Sequence, residues 1–289
     1  MMREMKTVLY LFVILSLLYL LMIMPGMRRH PFLQAFAGRM IAHRGLYDNA
    51  SEAPENSLRA FSLAVQEDCG IELDVQLSKD DQVVVFHDDS CARILRDQNG
   101  EPVQGRISSY TYQELQAFHL LESEEKIPLF ADVLKLIGGK VPLITEIKAE
   151  TDLPYEKTCR LTDELLQAYT GIYCVESFNP FAVYWYRKNR PQIMRGQLSS
   201  AFWAENAKQR KPLYYALGYL LFNFLTKPDF IAYDCRYRKN MSRCICRRLF
   251  GNTAVAYTVK SSEEQKEVCR DFDVLIFDSY HPEGTYFRP

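Results

Sequence analysis

Eight brief apolar runs recur along the 289-residue chain, at 40–43, 71–75, 143–147, 172–176, 193–195, 230–233, 254–257 and 274–277. Most gaps between them can hold a crossover helix, and 57–66, 161–169, 181–186 and 241–250 carry apolar residues at helical spacing. Runs alternating with helices predict a parallel sheet. Eight such units in about 250 residues predict an α/β fold, a closed (β/α)8 TIM barrel. The alternative is an open doubly wound sheet, but no G-x-G-x-x-G follows any run, which removes its dinucleotide-binding form. A ninth run, "VVVFH" at 83–87, follows its predecessor after only a few residues. A parallel crossover takes a dozen or more, so this run reads as an antiparallel hairpin arm after the second strand.

In a barrel of this kind the chemistry lies at the C-terminal ends of the strands. His43 and Arg44 end the first run, Glu72 and Asp74 the second, Glu146 and Lys148 the third, and the arm brings His87 and Asp88 over the same mouth. Glu72 and Asp74 are two apart, so they share a face. With Glu146 from the neighbouring strand they form a cluster that repels itself unless a cation sits inside it. Oxygen-only ligands suit one divalent cation, Mg²⁺ or Ca²⁺, whereas zinc would recruit histidine or cysteine. The bland alternative is a buried salt-bridge network with Arg44 and Lys148. The ordinary histidine side chain changes charge near neutrality, which suits His43 and His87 to supply a general base and a general acid. Arg44 and Lys148 fit an anionic phosphoryl group. Acid, base, cation clamp and metal together predict cleavage of a phosphodiester.

The first part of the chain follows another logic. From Thr7 to Met27 ("TVLYLFVILSLLYLLMIMPGM") no residue is charged. As a helix it would reach roughly 30 Å, one bilayer core. A cleaved signal peptide is the rival, but its apolar part would be shorter and end at a small-residue site. The expectation is therefore residues 1–27 as a transmembrane anchor in a single-pass cell-membrane protein, 28–38 as a linker and 39–289 as the barrel domain. Arg3 and Lys6 before the span nearly balance Arg28, Arg29 and Arg39 after it, so the positive-inside rule does not set its orientation. A second apolar stretch, "LYYALGYLLFNFL" at 213–225, is too short to span a bilayer and is flanked by Lys208, Arg210, Lys211 and Lys227. It reads as an outer barrel helix with one face at the membrane interface. A net charge of −1 provides no basic field for nucleic acid. The eight cysteines show no zinc-ligand spacing, and Cys69, Cys174 and Cys235 lie in or beside apolar runs, where a free thiol packs as a small hydrophobe.

Over about residues 39–280 the chain resembles the glycerophosphodiester phosphodiesterases, through "IAHRG" at 41–45, "APENSLRAF" at 53–61, "GIELDVQLSKDDQVVVFHD" at 70–88 and "EIK" at 146–148. Weaker echoes continue in "ESFNP" at 176–180, "RGQL" at 195–198, "PDFIAYD" at 228–234 and "AYTVK" at 256–260. The resemblance implies metal ligands Glu72, Asp74 and Glu146, catalytic His43 and His87, and phosphate-holding Arg44 and Lys148. It implies supporting places for Glu55, Asn56, Phe178 and Tyr257, although Asn56 with Ser57 also reads as a helix cap. Tyr257 stands where relatives carry a tryptophan motif, and "FDSYHP" at 277–282 replaces the usual "TD.P". Both departures are expected to touch the substrate wall only. The implied activity is hydrolysis of glycerophosphodiesters to an alcohol and glycerol 3-phosphate. A lysophospholipase D-like activity on membrane lipids would use the same residues. A silent binding barrel at the membrane is the reading from another class, and the intact set of seven site residues argues against it.

Overall fold

The computed structural model describes residues 2–28, 30–36, 38–149, 154–208 and 211–282. Its strands are β1 Met40–His43, β2 Gly70–Leu77, β3 Val83–Val85, β4 Leu95–Arg96, β5 His119–Leu120, β6 Leu143–Ile147, β7 Tyr173–Ser177, β8 Arg195–Ser199, β9 Phe230–Asp234, β10 Thr253–Val259 and β11 Val274–Phe277. Its helices are α1 Met2–Ile23, α2 Leu33–Phe36, α3 Leu58–Gln66, α4 Tyr112–Leu115, α5 Phe130–Ile137, α6 Tyr155–Gln167, α7 Pro180–Asn189, α8 Phe202–Glu205, α9 Pro212–Gly218, α10 Asn223–Thr226, α11 Met241–Arg248 and α12 Ser262–Val268. Strands β1, β2, β6, β7, β8, β9, β10 and β11 pair in parallel in that order, and β11 returns to β1. This is the closed eight-stranded barrel that the alternation predicts. The arm is also as expected: β3 lies antiparallel to the outer half of β2, with Val75 opposite Val85.

Alternation along the strands sorts the barrel interior into layers. Towards the N-terminal ends, Ile41, Ile144, Cys174, Phe230, Val255 and Val274 form a dry core. One step further along the same faces come His43, Glu72, Asp74, Glu146, Glu176 and Tyr257. Gly196 makes room for this packing, because a Cβ there would meet the Phe230 ring at 2.1 Å. The floor is closed by Phe36 of α2, which is 2% exposed and packs into the same core. Residues 30–36 are therefore docked, with His30 Nε2 against the Gln192 carbonyl at 2.9 Å.

Three sequence expectations change. The run at 193–195 is not the fifth barrel strand; β8 begins at Arg195 and reads "RGQLS", all buried. A search for apolar runs overlooks it because it is polar in composition yet buried, its donors paired inside the barrel: Gln197 donates to the Ser177 carbonyl and Ser199 to that of Leu217. The stretch 213–225 is two short helices, α9 and α10, not one. Leu220, buried at φ 59°, sits in the turn between them, and Arg210 lies outside the described residues, as does Arg29. Finally, the arm opens a compact insertion between β3 and α5 with a core of its own, built on Phe86, Ile94, Leu95, Ile107, Leu115 and Ile127.

Phe36→Ala should leave a cavity under the barrel and lower stability by about 3–5 kcal/mol, as for other buried phenylalanine truncations. Thermal or denaturant unfolding would register this, and a loss below about 1 kcal/mol would show that the floor closes without Phe36.

Candidate active site

The polar layer converges at the C-terminal mouth. Glu72, Asp74 and Glu146 each offer an oxygen, all within 4.8 Å of one another, and all three side chains are buried. The register explains the convergence: Asp74 lies beside Glu146 on adjacent strands, and Glu72 beside His43. Lys148 Nζ lies 2.9 Å from Asp74 and 2.8 Å from Glu146, and Arg44 Nε 3.6 Å from Asp74. The acid cluster and the salt-bridge network, set against each other in the sequence, are thus one arrangement. Glu176, beside Glu146 in register, adds a fourth buried acid whose Oε2 has no hydrogen-bond partner.

Four acids against two cations leave an excess of negative charge, and the carboxyls respond unequally. Burial raises the Asp74 carboxyl, but Lys148, His87 and Arg44 outweigh it and hold it well below the usual range. Burial pushes Glu72 well up, with Asp74, Glu146 and Glu176 adding to it. Burial likewise raises Glu146 and Glu176. A divalent cation among these oxygens would relieve that repulsion, and the all-oxygen donor set fits one.

The two histidines face the same pocket, which is lined also by Arg44, Glu72, Glu146, Glu176, Phe178 and Tyr257 and has a volume of about 140 Å³. His43 Nδ1 is 3.1 Å from Asp278 Oδ2, and Nε2 is 3.9 Å from Glu72. Burial first, and then Arg44, lower the His43 pKa to about 4, with Asp278 opposing. His87 Nδ1 is 2.6 Å from Asp88 Oδ1, and Asp88 is in turn held by Arg93. Gln76, on the inward face of β2 with Glu72 and Asp74, donates to the carbonyls of both Phe86 and Asp88 at 3.0 Å and so pins the backbone on either side of His87. Among the supporting residues, Asn56 stands at φ 58° and donates to Asp74 Oδ2 at 3.0 Å; the helix cap is Ser57, whose hydroxyl accepts from Ala60 N–H. Glu55 accepts from Arg44, Arg93 and Asn49. Phe178 and Tyr257 meet edge to face at 5.9 Å on the pocket wall.

One expectation about the C-terminal departure is overturned: "FDSYHP" does more than face the substrate, because its Asp278 holds His43 directly. Sequence reading also passed over Glu176, Gln76 and Asp278. The signal for Glu176 was there, since it closes its apolar run much as Glu146 stands one residue from the end of the preceding one. Gln76 shares the two-residue alternation of Glu72 and Asp74.

Fold and site together define a parallel barrel with an acid cluster, two histidines and two cations at its mouth, a class equipped for anionic ester chemistry. The chain belongs to the glycerophosphoryl diester phosphodiesterase family, whose model matches residues 43–225. It is 38% identical over 118 residues to a glycerophosphodiester phosphodiesterase of Caldanaerobacter subterraneus subsp. tengcongensis, a match covering 38% of this chain and 45% of that protein. It is 29% identical over 156 residues to the human protein named Lysophospholipase D GDPD1, covering 50% of this chain and 46% of that one. The chain spans about half the length of the curated relatives it matches. An Oleispira antarctica phosphodiesterase solved with the product sn-glycerol-3-phosphate shares the fold, at TM-score 0.67 and 24% identity over 85% of this chain and 95% of that one.

Glu55 tests the supporting shell. Burial would raise its carboxyl, but the hydrogen bond from Arg93 and the charge of Arg44 bring it down to about 2. Its contribution is thus complete above the ordinary glutamate range and lost as pH falls towards 2. Glu55→Gln should cost about 1–3 kcal/mol at pH 7 by leaving the two guanidinium groups short of a charged acceptor. The difference in melting temperature from the unsubstituted chain should hold steady from pH 7 to about 5 and shrink as pH falls from about 4.5 towards 2; a difference independent of pH would remove the charge from the explanation.

Proposed function

We propose that the chain is a membrane-anchored, metal-dependent phosphodiesterase that hydrolyses glycerophosphodiesters to an alcohol and glycerol 3-phosphate. The observation carrying this reading is the buried layer in which three carboxylates within 4.8 Å meet two cations and two histidines. Glu72, Asp74 and Glu146 would hold one divalent cation, Mg²⁺ or Ca²⁺, with Glu176 adding negative charge beside it. When bound, such an ion stabilises the charge that develops on the phosphoryl oxygens. Arg44 and Lys148 bind those oxygens and orient the diester for in-line attack.

His43 is the base. Asp278 holds its Nδ1–H, and burial keeps the ring neutral, so Nε2 takes the proton of the attacking hydroxyl. That hydroxyl belongs to water or to the adjacent glycerol carbon; the second route passes through a cyclic phosphate. His87, oriented by Asp88 and Gln76, is the acid that gives a proton to the departing alcohol oxygen. Glu55 and Asn56 fix Arg44 and Asp74, and Phe178 and Tyr257 wall the substrate.

The bilayer is the second partner. Among the described residues, α1 is the one helix long and apolar enough to cross a membrane, with mean hydropathy 2.3 over its best window. Its exposed apolar side chains support a single-pass anchor, with residues 213–225 as a further lipid contact. A lysophospholipase D-like activity is the second reading. It is favoured by Phe178, which packs edge to face on both Tyr257 and Phe202 and so extends the pocket wall as apolar surface.

The test is a panel of glycerophosphodiesters and lysolipids presented to the full chain, with and without chelator. Chelation should abolish turnover, and Mg²⁺ or Ca²⁺ should restore it; full activity after exhaustive chelation would sink the ligand assignment. Asp74→Asn should weaken metal affinity more than KM. His43→Ala and His87→Ala should each lower kcat by roughly 10²-fold or more and make the pH–rate profile lose one limb. Near-normal turnover by either variant would remove that histidine from the mechanism. Turnover of soluble diesters without detergent supports the first reading; turnover of acyl-bearing lipids alone supports the second.

A further inference from the structure

The way α1 joins the barrel fixes which face meets the bilayer. Tyr19 OH lies 2.7 Å from Ser242 Oγ, at the start of α11 on the mouth side. One turn on, the Ile23 carbonyl accepts from Cys246 Sγ–H at 3.2 Å and from Asn223 at 2.8 Å. Gly26 N–H then donates to the Pro228 carbonyl, and Arg28 pairs with Asp229 and donates to the Pro191 carbonyl. Pro191, Pro228 and Asp229 precede β8 and β9, at the floor of the barrel. Read backwards, the helix climbs from the floor along α11 and leaves past the mouth. Residues 3–15, 17 and 18 are exposed and project beyond it.

The length of that projection decides how the barrel sits. Residues 2–18 rise about 25 Å, and the uncharged part from Thr7 only about 18 Å. A bilayer core is about 30 Å thick. That leaves no length for a gap between barrel and bilayer: a span this short is met only with the mouth face drawn into the head-group layer and the bilayer locally thinned.

The surface beside the exit is suited to that layer. Trp203 of α8 stacks on Tyr219 at 4.6 Å and on Tyr215 at 5.8 Å. Leu213 is 52% exposed and Met241 56%. Lys208, Lys211 and Lys239 are exposed around them. Trp203 and Tyr219 line a cleft of about 640 Å³ that runs to Met241, next to the Ser242 that Tyr19 touches. Aromatic and basic residues in one patch are the composition of an interfacial contact. Its inner end reaches the site, because Phe202, adjacent to Trp203, packs on Phe178 of the pocket wall.

We infer that the barrel lies mouth-down on an anionic bilayer, with α8, α9, the 236–240 connection and Met241 at the start of α11 in the head-group layer. The active site then draws its diester from the membrane surface, along the Trp203–Phe202–Phe178 line. This rests on the anchored reading above and goes beyond it in choosing the face and the source of substrate.

The experiment uses the full chain in vesicles of phosphatidylcholine and phosphatidylglycerol carrying a quencher at a shallow acyl position. The chain has two tryptophans. With Trp185→Phe, emission from Trp203 should fall roughly twofold or more on the quenching lipid, as for an aromatic ring at the interface. With Trp185→Phe, Trp203→Phe and Gln192→Trp, the new ring at the barrel floor should be unaffected. The unsubstituted chain should lose a matching part of its emission, which guards against a folding defect in the variants. A chain that does not float with the vesicles defeats the anchored reading and this one together. A chain that floats with Trp203 unquenched, or with the floor tryptophan quenched instead, leaves the anchor standing and overturns the mouth-down placement. As a functional arm, Leu213→Ser with Tyr215→Ser should lower lysolipid turnover in vesicles several-fold and leave soluble diester turnover unchanged; equal loss of both would overturn the route from the membrane surface.

Discussion

The site depends on a charge imbalance that the barrel cannot escape. Glu72, Asp74, Glu146 and Glu176 are carried inward by strands whose other inward residues form a dry core, and Arg44 and Lys148 neutralise only part of their charge. Burying ions without full compensation is costly. The rest of the polar layer can be understood as its containment. Asn56 donates to Asp74, Lys148 bridges Asp74 and Glu146, and Arg44 is itself held by Glu55. The same low-dielectric setting strengthens any interaction with a bound cation or phosphoryl group. Stability given up in building the layer is thus linked to its capacity to bind.

Much of this was legible because two periodicities coincide. Alternation within a strand put Glu72 and Asp74 on one face, and the barrel rule put strand ends at one mouth. Neither needs knowledge of the contacts. What was illegible depended on partners distant in sequence. β8 reads as polar until Ser177 and Leu217 are seen accepting its hydrogen bonds. Asp278 reads as part of a divergent tail until it is found 235 residues away from the histidine it holds. Residues 213–225 look like one helix by composition; Leu220 at positive φ breaks them in two, and its burial between the halves decides the geometry.

The N-terminal segment shows a different kind of coupling. Its hydropathy makes it a candidate membrane span, and its last turn and the residues after it are bound into the barrel from α11 to the floor. A segment attached through a loose tether would leave the barrel free to tumble against it. This one is joined rigidly, so position along the helix becomes position relative to the site.

Gln76 has a consequence of another sort. Its carboxamide is a single clasp holding the carbonyls on both sides of His87, at the point where the barrel passes into an insertion with its own small core. The two histidines are thus held beside separate hydrophobic cores, with Gln76 as the link between them. His43 is embedded in the barrel and persists as long as the barrel does. His87 stands at the edge of the insertion and would leave the mouth if that part opened. Heating that opened the insertion first would then remove His87 from the mouth reversibly, while the acid cluster and the barrel around it are still intact.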